Sequence, residues 1–324
     1  MNNLIVSLKV IAPLMIYMLM GVALKRSGKL PEKLNSDINK LLVTVFLPFL
    51  MFKNIYNADL SGISGSFGLY AAIATVIGWC VCFLFCSMVE KDPAKVGSMV
   101  QGMFRSNAII FGIPVAESLF GVGNTVEVAL ALAICVPIYN TLSVVVLEIC
   151  GQKAAIAKGK AGAGKTKLNG KSILLGIAKN KLIWGALLGI LANALNIDLP
   201  DTLDTVVAGM SGVITPMAFI TLGASFSLKS AAHNRRDLIL VTLVKLVIYP
   251  MIYLILPIHW GWKGYVMGAM LLTSASPTAI SSYPMARAMG CDGDLSGEIV
   301  VVTSIFSILS MFLWIFGLKQ FGLL

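Results

Sequence analysis

The apolar residues of this chain fall in long unbroken blocks of about twenty, and short turns between the blocks carry most of the charge. A block of that length, wound as a helix, crosses the roughly 30 Å hydrocarbon layer of a bilayer. Helices are required there because lipid offers the backbone no hydrogen-bond partners. Only 12% of the 324 residues are Asp, Glu, Lys or Arg, about half of what a water-facing domain carries. A soluble surface of this size cannot be built from so few charges.

Ten spans are predicted, near 4–24, 37–56, 67–89, 97–119, 125–149, 174–196, 202–228, 237–257, 264–288 and 294–317. The first block is too long for a signal-peptide core, its positive cluster follows it, and no small-residue cleavage site is evident. Basic residues test the count. Lys25, Arg26, Lys29 and Lys33 follow span 1, Lys91 and Lys95 follow span 3, and Lys153, Lys158, Lys160, Lys165, Lys167 and Lys171 follow span 5. Lys229, Arg235 and Arg236 follow span 7, and Arg287 closes span 9. The opposite face has only Lys9, Lys53, Lys263 and Lys319. By the positive-inside rule both termini are expected outside a cytoplasmic membrane. The net charge of +10 is therefore a topology signal, and no nucleic-acid partner is expected.

The Lys-, Gly- and Ala-rich stretch 150–171 splits the chain into two five-span halves, 1–149 and 172–324. With an odd number of spans in each, the second half starts from the other face, so similar halves would form an inverted repeat. Proline positions agree. Pro48 in span 2 answers Pro216 in span 7, and Pro114 in span 4 answers Pro277 and Pro284 in span 9.

Gly159 to Thr166, with Gly164 and Lys165, matches the Walker A pattern formally. That pattern binds phosphate only between a strand and a helix of an α/β domain, which this linker cannot supply. It is read as a basic linker beside anionic headgroups. Cys80, Cys82, Cys86, Cys135, Cys150 and Cys291 are read as apolar fillers with free thiols. No metal or cofactor is expected, and no cluster of carboxylates offers a sodium cage.

Chemistry is expected where spans 4 and 9 are interrupted. Span 4 carries Arg105, Ser106 and Asn107 inside an apolar block, followed by Gly112 and Pro114, whose ring frees the carbonyl near Ile110. Span 9 carries Ser276, Pro277, Thr278 and Ser281 in a hydroxyl-rich run. Broken helices are tolerated at depth where they line a cavity or are buried in protein, and paired breaks in inverted halves point to a binding site. Restarting helices would present N–H groups and positive dipole ends to a carboxylate. Arg105 is open to two readings, snorkelling to the interface or drawing anions inward. Lys245 in span 8 and Lys40 in span 2 are read as snorkelling or packing at helix ends, and Glu117 as a solvated helix-end carboxylate.

Gly21, the Lys25-Arg26-Ser27-Gly28 turn, Leu47-Pro48 with Phe52, and Asn107 to Pro114 resemble the auxin efflux carrier family. Leu199-Pro200, Pro216, Leu222 to Ser225 and Ser276 to Ala279 extend the resemblance through the second half. The family includes bacterial malate and malonate permeases and plant auxin carriers. The resemblance implies an all-α membrane fold of two inverted five-helix repeats, with spans 4 and 9 broken and crossing at their prolines. It implies a scaffold of spans 1, 2, 6 and 7 that forms a homodimer contact, and a mobile domain of the other six that moves like an elevator. Asn107, Pro114 and Pro277 carry over by motif position, with Arg105, Ser106, Ser276, Thr278 and Ser281 beside them. Plant carriers have proline where this chain has Ser106, and their span 9 differs after Pro277, which argues against auxin itself, while the charge of Arg105 leans toward a smaller, more anionic substrate. The expectation is a secondary carrier of small carboxylates, not an enzyme, since no nucleophile–base pair is legible and neither His233 nor His259 lies within a span. The other reading from a different class is a receptor or channel for a small anionic ligand.

Overall fold

The computed structural model describes residues 2–57, 65–121, 126–157, 159, 181–225 and 232–324. The predicted linker beyond residue 159, including most of the Walker-like stretch, lies outside the described residues, as do residues 174–180 of span 6 and 226–228 of span 7. What is described is helical, with one isolated β-bridge.

In chain order the helices are α1 (Asn2–Arg26), α2 (Glu32–Tyr56), α3 (Gly65–Val89), α4 (Pro93–Phe104), α5 (Ile113–Phe120) and α6 (Val126–Ala157). They continue with α7 (Lys181–Ala194), α8 (Asp201–Ser225), α9 (Arg235–His259), α10 (Gly264–Ala275), α11 (Ser282–Ala288) and α12 (Gly293–Gln320). Among the described residues six helices are long and apolar enough to cross a membrane: α2, α3, α6, α8, α9 and α12, in α3 and α6 counted from Ser66 and Glu127. Helices α7 and α10 are shorter apolar ones. The segments expected to form spans 4 and 9 are each split, into α4 and α5 and into α10 and α11. Helix α6 runs on to Ala157 with Cys150 and Ala154 buried. The expected linker therefore begins as helix, as its Ala, Lys and Gln content favours.

Two sets of helices share the core. In the first, α1 lies along α8, and the Leu47–Tyr56 part of α2 lies along α7. Both pairings need glycine, because the helix backbones nearly touch. A Cβ on Gly21 would overlap the Ile220 carbonyl oxygen, and one on Gly223 the Met18 carbonyl oxygen. Likewise a Cβ on Gly185 or Gly189 would meet the carbonyl oxygens of Pro48 and Phe52. Such close approach is how helices associate where lipid removes the hydrophobic drive. In the second set α6 packs against α3, α4 and α10, while α12 packs against α4, α9 and α11. The two sets meet where α1 touches α5 and α12 and where α2 touches α6 and α11.

One end of the second set is pinned by a polar network. Lys95 Nζ donates to Asp237 Oδ2 at 2.8 Å and to Asn234 Oδ1 at 3.1 Å, and Asn234 Nδ2 donates to Glu298 Oε2 at 2.9 Å. This ties α4 to α9 and α12. The Lys95 ammonium, in the first turn of α4 and ahead of the predicted span, is held above its ordinary pKa by the hydrogen bond to Asp237. A raised folded value means the contribution is complete below the unfolded pKa of about 10.4 and fades as pH rises through the folded one. Lys95→Met should therefore cost about 1–3 kcal/mol, because it strands a largely buried carboxylate. Thermal unfolding in detergent checks this. The loss should be the same at pH 7 and pH 9, and it should narrow only in strongly alkaline buffer.

Candidate functional site

Helix α4 stops at Phe104 and the chain turns extended at Arg105. Helix α10 stops at Ala275 and turns extended at Ser276. The extended pieces lie side by side as an antiparallel bridge between Ser106 and Thr278, and Asn107 N donates to Pro277 O at 2.7 Å. Helix ends leave carbonyls without intrahelical partners, and here each broken helix caps the other. Thr278 Oγ1 donates to Gly102 O at 2.7 Å, and Ser106 Oγ lies 3.4 Å from Ser274 O as donor. Each hydroxyl thus serves the carbonyl four residues before its bridge partner. Tyr139 on α6 adds a hydrogen bond to Thr273 O at 3.2 Å.

The break in the first segment falls at Arg105–Asn107, ahead of Pro114, so the helices cross at Pro277 on one side only. Pro114 instead sits in the first turn of α5, after a π-helical turn over Ala108–Gly112. A wider turn is how a helix absorbs a residue with no N–H to donate.

Arg105 does not snorkel. It is buried at the crossing, where Nη2 donates to Asn140 Oδ1 and Ser281 Oγ, each at 2.7 Å, and Nη1 approaches Met285 Sδ at 3.0 Å. With the Gln101 amide oxygen turned toward it, Nη1 also donates there at 3.1 Å, and the Gln101 nitrogen donates to Ser282 O at 3.2 Å. Among the described residues no carboxylate pairs with this guanidinium.

A cavity of about 90 Å³ lies between the crossing and the first set of helices. Arg105, Ser106 and Asn107 line it from one break and Ala279, Ile280 and Ser281 from the other. Val136, Tyr139 and Asn140 of α6 form another wall, and Leu50, Met51 and Asn54 of α2 with Ile214 and Thr215 of α8 close it. Asn140 Nδ2 is buried with no partner. The structure thus brings Arg105, Ser106, Asn107 and Ser281 together around one space. Ser276, Pro277 and Thr278 belong to the crossing and do not line it: the Ser276 hydroxyl turns back to Leu272 O at 2.5 Å, and that of Thr278 is engaged by Gly102 O.

The two sets of helices also meet at Ser225, the last residue of α8. Its hydroxyl receives Asn35 Nδ2 at 2.7 Å, Tyr283 OH at 2.7 Å and Arg287 Nη1 at 3.3 Å. Arg287 in turn pairs with Asp294 at 3.2 Å. Glu117 is exposed, Lys40 pairs with Asp37 at the surface, and the six cysteines are free.

Lys245 departs from expectation. It is fully buried beneath the crossing, because the Val244–Ile248 π-turn of α9 lies against α10 and α12. The sequence alone does not single out Asn140, Tyr139, Gln101 or Asn54. An asparagine and a tyrosine inside the apolar run of α6 are the signal that marks two of them.

Residues 6–315 match the family described as Membrane transport protein. An uncharacterized transporter of Methanothermobacter thermautotrophicus is 24% identical over 311 residues, covering 95% of this chain and 97% of that protein. The uncharacterized transporter YfdV of Escherichia coli K12 is 24% identical over 83% of this chain and 84% of its own length. A probable auxin efflux carrier component 5a of Oryza sativa subsp. japonica is 25% identical over 82% of this chain and 83% of its own.

Proposed function

Because this chain belongs to the membrane transport protein family, whose relatives are named transporters and efflux carriers rather than enzymes, we propose that it is a secondary carrier of small organic anions. Malate- and malonate-like carboxylates are the substrates we favour, moved by alternating access across a cytoplasmic membrane with both termini outside. The observation that carries this reading is a buried guanidinium with no carboxylate partner among the described residues, beside the unpartnered Asn140 Nδ2, at a cavity where two broken helices cross. A carboxylate would supply the negative charge and the acceptor oxygens that these groups lack. The cavity is small, about 90 Å³. It suits a compact acid better than an aromatic one.

The pairing of helices supports ten spans in two inverted halves, 1–149 and 172–324, joined by a linker near 150–171. Exchanging the halves turns the α1–α8 contact into the α7–α2 contact, and both rest on glycines against carbonyls. The reciprocal caps at Gly102 and Ser274 follow the same exchange. Helices α1, α2, α7 and α8 then serve as the scaffold, and as the contact of a homodimer. The second set, carrying the crossing, moves past it in an elevator-like cycle. Ser225, Tyr283 and Arg287 hold the two sets together at the cytoplasmic end, which fits a state closed to that side.

Purified protein in liposomes, given a panel of labelled mono- and dicarboxylates, tests the reading. Uptake of a compact dicarboxylate is expected, and Asn107→Ala should remove it without lowering membrane insertion. If no carboxylate enters, or currents exceed carrier turnover, the proposed function is wrong.

A further inference from the structure

Lys245 has 0% exposure and, among the described residues, no carboxylate within ion-pair distance. Its ammonium donates to Ser106 Oγ at 2.5 Å and to Ser274 O at 3.1 Å, and it lies 5.2 Å from the centre of the Tyr249 ring. An ammonium has three donors. Here a hydroxyl, a carbonyl and an aromatic face meet it. Ser106 belongs to the first break, while Ser274 lies in the last turn of α10, where the helix dipole gathers negative charge. Carbonyl and hydroxyl oxygens converging at a helix C-terminal end, with a π-face beside them, are what a small monovalent cation seeks. Lys245 is not among the residues lining the cavity, so it faces the crossing from behind.

We infer that Lys245 is a tethered counter-cation: its ammonium fills a cation seat formed by the two broken helices and so holds the crossing in shape for the anion. The seat's occupant is part of the chain and travels with it. With Arg105, the crossing then carries two fixed cations, and no free cation has to bind for the anion site to form. Lys245 is a positioning residue, acting through Ser106 and Ser274. The inference uses the carrier reading for its first assay and stands apart from it in its second.

In liposomes, wild-type uptake should be equal in sodium, potassium or N-methylglucamine buffer. Lys245→Ala should lose roughly tenfold or more in N-methylglucamine and regain activity when sodium or methylammonium is added. Lys245→Met, which fills the space without the charge, should stay inactive in every salt. The second assay needs no transport. Sodium or methylammonium should raise the melting temperature of detergent-purified Lys245→Ala and leave that of the wild type unchanged. A sodium requirement in the wild type, full activity of Lys245→Met, or a Lys245→Ala protein that no small cation restores or stabilises each overturns the inference. If the wild type moves no carboxylate but the melting shift appears, the substrate reading falls and the cation seat stands. Should Lys245→Ala yield no folded protein without added cation, purification in sodium or methylammonium should recover it, and failure in both overturns the inference as well.

Discussion

Arg105→Gln is expected to abolish carboxylate uptake, by about 100-fold or more, while the protein still inserts and purifies as a single species. The guanidinium reaches Asn140, Ser281 and Met285 from the break after α4, so it both spaces the cavity walls and supplies its positive charge. Hydrogen bonds to a charged group contribute about 1.5–3 kcal/mol each, and a bound carboxylate would add a further charge-assisted bond. Glutamine can keep one of these contacts but neither the charge nor the fork. Arg105→Lys separates the two roles. It retains the charge and loses the planar donors, so it should recover only part of the uptake. The measurement is initial-rate uptake of labelled dicarboxylate by liposomes matched for protein content. Uptake by Arg105→Gln at the wild-type rate would mean that the guanidinium only packs the crossing.

Gly223→Leu is expected to prevent assembly altogether. The Cβ of any larger residue there points into the Met18 carbonyl oxygen, and Gly21 faces Ile220 in the same way. Neither obstacle is the flexible tip of a side chain, so relief requires α1 and α8 to separate along their length. Overpacking usually costs about 1–3 kcal/mol, and a clash with main chain in a helix pair this close should exceed that. Gly209→Ala on the same helix is the control, because nothing lies within 4 Å of its Cβ position. It should be neutral or slightly stabilising, by up to about 1 kcal/mol from helix propensity. Size-exclusion profiles of the two variants in mild detergent decide the matter. A monodisperse Gly223→Leu peak with an unchanged melting temperature would show that the helices are not this close.

Much of the architecture was legible because hydropathy and charge act along the chain. The blocks ending near Tyr56, Val89 and His259 emerge as helices with nearly the expected limits. Interruptions near residues 105 and 277 were visible as polar runs inside apolar blocks. The partners across the fold were not. Depth counted along α9 made Lys245 a snorkelling candidate, since nothing in its own helix reveals that α10 covers it. Likewise the sequence points to Pro114 as the site of the break, whereas the chain opens earlier, where Arg105 and Ser106 find partners on α6, α9, α10 and α11. Gly185 and Gly189 stand four apart, the small-residue spacing that marks a close helix pair.

The pairing of α1 with α8 and of α2 with α7 bears on biogenesis. Each partner is made late: α1 is synthesised long before α8, and α2 before α7. A chain leaves the ribosome at about 5–20 residues per second, so the early helices must wait in the bilayer for tens of seconds with these packing faces uncovered. Such a protein cannot mature one half at a time. Its first helices depend on the insertion machinery or on lipid until the closing helices arrive.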